Sequence, residues 1–171
     1  MQDLNKPLVN KVAESGLITI NLEDYFPQGA IVDFDLKEYL FRGLILREKD
    51  FREAVKTIDW AVYQGKNVAL YCSTDAIIPL WAYQLVAIHL APYANYVFCG
   101  NPTELIKNYY MQALAKLDLA QFDDQRIVVK GCGALPVPAA AYTEIARLLQ
   151  PRVKSLMYGE PCSTVPLYKR K

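Results

Sequence analysis

The stretch Asn67–Pro79, Asn-Val-Ala-Leu-Tyr-Cys-Ser-Thr-Asp-Ala-Ile-Ile-Pro, constrains the fold more than any other part of the chain. A short apolar run stops at Cys72, passes through Ser73, Thr74 and Asp75, and leads into a long apolar segment. Runs of this length bounded by turn residues read as strands, and the longer periodic segments as helices. Weaker versions of the unit recur downstream. Val68–Tyr71, Tyr96–Cys99, Arg126–Lys130 and Val153–Tyr158 read as strands, with helices over Ala76–Leu90, Pro102–Leu117 and Pro138–Leu149. Strands alternating with helices of this length predict an α/β domain with a mainly parallel sheet, right-handed crossovers and helices on both faces.

Upstream, Leu17–Leu22 and Ile31–Leu36 are β-rich, and Pro27-Gln28-Gly29 between them supplies turn chemistry. They predict an N-terminal hairpin, adding antiparallel edge strands to the sheet. Phe51, Ala54, Val55 and Ile58 follow a helical period, with Asp50 and Glu53 spaced as a capping box. The expected organisation is one domain: a hairpin and helix over residues 1–60, then repeated βα units and an extended tail over 61–171.

Composition narrows the function classes. Of 171 residues, 53% are hydrophobic and 22% charged, the balance of an ordinary globule with one sizeable core. Net charge is +1, and the only basic block is Lys169-Arg170-Lys171, so no nucleic-acid footprint is expected. Met1–Lys6 leads into no apolar signal segment. The most apolar stretch, Ala76–Ala91, contains Gln84 and His89 and is shorter than the roughly 20 residues a membrane span needs. A cytoplasmic protein without a membrane partner is expected. In a reducing compartment the four cysteines are open to metal, redox or packing roles rather than structural disulfides.

Each cysteine falls at or just beyond the carboxyl end of a predicted strand. In one parallel sheet those ends share an edge, where ligands bind in open α/β folds. Buried cysteines usually just pack, and packing is the favoured reading for Cys99 within Tyr-Val-Phe-Cys-Gly. Cys72, Cys132 and Cys162 have neighbours foreign to a core: Ser73-Thr74-Asp75, the glycines Gly131 and Gly133, and Pro161 with Ser163. One reading makes these three thiols, with Asp75 as a fourth ligand, a zinc or iron–sulfur site. No Cys-x-x-Cys pair supports it. A second reading makes Cys72 a reactive thiolate or sulfur carrier at a helix N-terminus, with Lys130 or the N–H groups around Gly131 and Gly133 stabilising the anion. Under either, Ser73, Thr74, Lys130, Gly131, Gly133, Ser163 and Thr164 would line the ligand. A third reading is an interaction module whose cysteines pack. His89, the single histidine, sits about 20 Å along its helix from the strand ends, so a Ser-His-Asp or Cys-His enzyme is not expected.

The strings Gly16-Leu-Ile-Thr, Gly43-Leu-Ile-Leu-Arg-Glu-Lys-Asp-Phe-Arg52, Cys72-Ser-Thr-Asp-Ala-Ile-Ile-Pro79, Lys130-Gly-Cys-Gly133 and Met157-Tyr-Gly-Glu-Pro-Cys-Ser-Thr-Val-Pro-Leu-Tyr168 add a resemblance. Over nearly its whole length the chain resembles an uncharacterised bacterial family, domain of unknown function 2480. The family carries no established activity, so it transfers no catalytic residues. The resemblance implies a genomic setting beside iron–sulfur cluster assembly, with assembly proteins as partners, and it favours iron, sulfur or cluster handling at the thiols.

Overall fold

The computed structural model describes residues 16–160 and 163–171. In chain order the elements are β1 (Leu17–Asn21), β2 (Ile31–Asp35), α1 (Glu48–Thr57), β3 (Asn67–Tyr71), α2 (Leu80–Leu90), β4 (Tyr96–Cys99), α3 (Pro102–Ala115), β5 (Arg126–Lys130), α4 (Ala139–Leu149), β6 (Ser155–Glu160) and β7 (Ser163–Lys169). The protein is α/β with mainly parallel strands. Those strands belong to two sheets, of order β2-β3-β4 and β1-β5-β6-β7, and among the described strands only the β6–β7 pair is antiparallel. The chain divides accordingly into a middle unit, Pro27–Tyr109, and a split unit formed by the described residues before and after it.

The expected hairpin is replaced by a different pairing. β1 runs parallel to β5 (Leu17 opposite Arg126) and β2 parallel to β3 (Ile31 opposite Asn67). A one-sided alternation cannot tell these options apart, because a parallel edge strand shows the same pattern as one arm of a hairpin. What redirects the chain is a 3-10 turn after each strand. Asn21 accepts from the Glu23 N–H at the start of one, and Asp35 from the Lys37 N–H at the start of the other.

In the middle unit, Phe34, Leu36, Phe51, Val55, Trp60, Val68, Leu70, Ala82, Val86 and Leu90 form the core. The rings of Phe34 and Trp60 stack at 5.6 Å, and His89 stacks on Trp60 at 4.9 Å. The lone histidine is therefore a packing residue. Helix α2 starts at Leu80, not at Ala76 as expected. The residue before a proline is held out of the helical region, so Ile78 cannot be helical and Pro79 takes the N-cap position. Helix α4 likewise begins after Pro138. Asp50 lies inside α1 rather than at its cap. Glu48 opens that helix, and pairs of Asp50 with Arg47, Glu48 with Arg52 and Glu53 with Lys56 run along it. Asn101 and Glu104 do form a reciprocal cap at the start of α3.

The two units are built alike. One constant shift along the sequence, without a gap, carries β3 onto β5, α2 onto α4 and β4 onto the first part of β6. The same shift carries the buried pair Phe51 and Val55 onto Tyr110 and Leu114, and Val86 and Leu90 onto Ile145 and Leu149. It also maps the connecting hydrogen bonds. Gly65 N–H donates to Tyr93 O, and Asp124 N–H to Arg152 O; Asn95 N–H donates to Lys66 O, and Lys154 N–H to Gln125 O. Gly65 and Asp124 both hold positive φ, 68° and 57°, a conformation that glycine and aspartate tolerate. In each unit a first strand enters parallel beside the second, β2 in one and β1 in the other. The counterparts seldom share a residue type, but Pro79 and Pro138, Tyr83 and Tyr142, and Gly100 and Gly159 do.

Candidate functional site

Two sheets give two carboxyl edges. Cys72 and Cys99 end strands of the middle unit, and Cys132 follows β5 of the split unit. The common-edge argument for grouping Cys72 with Cys132 thus does not apply, because they close strands of different sheets. Cys162 lies outside the described residues. Among the described residues, no three His, Cys, Asp or Glu side chains are gathered to hold a metal.

The richest chemistry lies at the carboxyl edge of the split unit. Strand β5 ends at Lys130, whose Nζ is 3.3 Å from Glu160 Oε2. The chain then turns through Gly131-Cys132-Gly133. Gly131 is buried, and a Cβ there would stand 2.7 Å from Tyr142 Oη and 3.1 Å from Leu22 Cβ. A Cβ on Gly133 would meet the Glu23 carboxylate at 2.5 Å, and that carboxylate accepts the Leu135 N–H at 3.3 Å. The glycines let the loop fold closely onto Tyr142 and Glu23, leaving Cys132 exposed between them.

Cys132 Sγ is 2.6 Å from Tyr158 Oη and 3.9 Å from Tyr142 Oη. The two rings meet edge to face, with centroids 5.8 Å apart. Both phenols are held above the ordinary tyrosine range. For Tyr142 the main cause is burial, then the hydrogen bond to Cys132 and the negative charges of Cys132, Tyr158 and Tyr110; for Tyr158 it is the hydrogen bond to Cys132, then that thiol's charge and burial. They remain protonated at neutral pH and supply the O–H donors that a sulfur anion requires once formed. Beside them lies an apolar cavity of about 180 Å³, lined by Val129, Tyr142, Ile145, Leu156, Tyr158 and Leu167. An apolar pocket with a few convergent polar groups is the usual form of a small-molecule site.

The remaining expected site residues are placed as follows. Cys72 is half-buried against the core of the middle unit, its Sγ 3.2 Å from Thr74 Oγ1. It is not at a helix N-terminus, since α2 starts eight residues later. Ser73 donates its N–H to Asp35 Oδ1 at 3.0 Å, so it ties two strand ends together. Burial pushes the Asp35 carboxyl up, but hydrogen bonds from Ser73 and Lys37 outweigh this and hold it below its ordinary value. Asp75 is exposed in the connecting loop. Ser163 opens β7 opposite Glu160, and Thr164 Oγ1 donates to Met157 Sδ at 3.6 Å. Cys99, expected to pack, is exposed.

Tyr142, Tyr83 and Glu23 were not among the expected site residues. The signal that points to the two tyrosines is the repeat: Tyr83 and Tyr142 stand at one position of it, each four residues after its proline. Glu23 has no such signal, because its role depends on the loop that folds over it.

Among the described residues no helix is long and apolar enough to cross a membrane. No curated protein and no solved structure matches the chain. The family model described as "Protein of unknown function (DUF2480)" matches residues 6–170. Spanning nearly the whole chain, that match makes the protein a member of the DUF2480 family.

Proposed function

We propose that the protein works through a nucleophilic thiol, Cys132, as a thiol enzyme or sulfur carrier for a small molecule with an apolar body. The observation that carries this reading is the 2.6 Å contact between Cys132 Sγ and Tyr158 Oη, at a carboxyl strand edge beside an apolar cavity. In the working form the thiol proton leaves to water, Tyr158 donates to the sulfur anion, and Tyr142 stands behind it as a second donor. The cavity seats the apolar part of the substrate, and its electrophilic atom faces the sulfur. The nucleophile thus moves from Cys72, the residue favoured by sequence, to Cys132. Cys72 lacks the helix terminus that made it a candidate, whereas Cys132 has two phenols.

Site-resolved alkylation by iodoacetamide near neutral pH tests the reading. Cys132 should react fastest of the four cysteines, and Tyr158→Phe should slow it. A hydrogen bond to an anion is worth about 1.5–3 kcal/mol. A less stabilised thiolate is also the better nucleophile, which cancels about half of that in the rate. The net slowing is roughly five-fold. Alkylation of Cys132 no faster than that of the exposed Cys99, with no response to Tyr158→Phe, would remove the proposal.

A further inference from the structure

The repeat assigns the middle unit a counterpart of the Cys132 site with different chemistry. The shift that carries β3 onto β5 places Tyr83 at the position of Tyr142, Cys99 at that of Tyr158, Cys72 at that of Gly131 and Ser73 at that of Cys132. Where the split unit brings one thiol to two phenols, the middle unit carries two thiols and one phenol at the corresponding positions.

The strand register fixes the two thiols on one face. Leu70 of β3 lies opposite Cys99 of β4, and Val68 opposite Val97. Side chains two apart on a strand share a face. Cys99, two past Val97, therefore lies on the side where Val68, Leu70 and Val97 pack with α2, and Cys72, one residue beyond β3, packs against that same core. Tyr83 of α2 packs against the same core. At the matching place in the split unit, a Cβ on Gly131 would approach Tyr142 Oη to 2.7 Å; the middle unit has a real side chain there, that of Cys72.

We propose that Cys72 and Cys99 form a two-thiol site for a soft, thiophilic cation such as Cu(I), with Tyr83 as the polar group beside it. Strand geometry separates this from a disulfide. Neighbouring strands lie about 4.8 Å apart and two residues advance about 6.6 Å, so the two Cα atoms are about 8 Å apart. A disulfide does not bridge Cα atoms beyond about 7 Å without moving backbone. One ion with metal–sulfur bonds of about 2.3 Å fits between thiols that face each other over that span, and soft thiolate pairs select Cu(I). Binding releases the two thiol protons to solvent and changes no oxidation state.

The test uses the full chain carrying Cys132→Ser and Cys162→Ser, titrated with Cu(I) without oxygen against a chromophoric Cu(I) chelator. One equivalent should bind per chain. Adding Cys99→Ser or Cys72→Ser should weaken it by more than the ~100-fold that outer-sphere partners of a metal are worth. As a check independent of folding in the variants, phenylarsine oxide on the unsubstituted chain should protect Cys72 and Cys99 together from later alkylation. It does so by forming two As–S bonds and releasing water. Binding unchanged by Cys99→Ser, or Cys72 and Cys99 still alkylated independently after the arsenical, overturns the proposal. Because Cys132 is absent from the titrated protein, and the arsenical arm is read only at Cys72 and Cys99, neither result bears on the Cys132 reading.

Discussion

Gly131→Ala should be destabilising chiefly through its contact with Tyr142, and the size of the effect follows from the local packing. A methyl group at residue 131 would lie 2.7 Å from Tyr142 Oη, 3.1 Å from Leu22 Cβ and 3.3 Å from Val137 Cγ2. Ordinary contacts begin near 3.4 Å, so the hydroxyl must retreat by roughly 0.7 Å in a close-packed site. Forcing an extra methyl into such a site costs about 1–3 kcal/mol. At about 2–4 °C per kcal/mol for a chain of this size, the midpoint of thermal unfolding should fall by about 2–12 °C. The assay is urea and thermal unfolding of wild type, Gly131→Ala, Tyr142→Phe and the double variant. Deleting the hydroxyl removes the closest contact and leaves the Leu22 contact, so Tyr142→Phe should recover more than half of the loss in a double-mutant cycle. Gly131→Ala also pushes Tyr142 relative to Cys132, so Cys132 alkylation should change in the same variant. If Gly131→Ala unfolds within about 0.5 kcal/mol of wild type, the magnitude of an ordinary surface change, or if Tyr142→Phe gives no recovery, the reasoning is refuted.

Other outcomes are equally specific. Tyr110 donates to Leu22 O at 3.0 Å, so Tyr110→Phe should cost about 1 kcal/mol in urea unfolding by removing a buried hydrogen bond. Burial, with the charge of Glu23, pushes the Tyr110 phenol up to about 12. Its folded value is raised, so its contribution is complete below about pH 10 and drains away between about pH 10 and 12; the wild-type minus Tyr110→Phe difference should shrink over that window. Asp35 is shifted the other way. Its contribution is present above about pH 4 and lost as the pH falls below it, so Asp35→Asn should destabilise at neutral pH and matter less in acid. The zinc or iron–sulfur reading of Cys72, Cys132 and Cys162 predicts metal in protein purified without oxygen that is lost in Cys132→Ser, measurable by elemental analysis; full retention of metal in that variant contradicts it.

Much of the local structure was legible in the sequence. Tyr96–Cys99 and Arg126–Lys130 are strands with the bounds their apolar runs predict, and Asn101 caps α3 just ahead of Pro102 in its first turn. The assignment of strands to sheets was not legible. Whether Leu17–Asn21 pairs with Ile31–Asp35 or with the distant Arg126–Lys130 depends on partners that local periodicity does not encode. That gap carried over to the site, since grouping the cysteines assumed one sheet. The repeat was written in the sequence all along, but in residues easily assigned to turns and packing: Pro79 with Pro138, Tyr83 with Tyr142, Gly100 with Gly159. Cys72 could not be separated from Cys132 without coordinates, because what distinguishes them is Tyr158, which meets Cys132 across a strand boundary.

The way β1 joins its sheet bears on how the protein is made. The middle unit is one continuous stretch, Pro27–Tyr109, and every strand of its sheet is synthesised before β5. Domains tend to fold as they emerge, so this unit can complete its core early. β1 is translated before all of it, yet must wait for Arg126–Lys130 before it can pair. Throughout that interval Ile18 and Ile20 have no strand beside them, and closing a loop this long is slow. A stalled or truncated chain ending near α3 would therefore hold a finished middle unit and an unsatisfied β1, a form suited to chaperone binding and prone to pairing with another chain's strand edge.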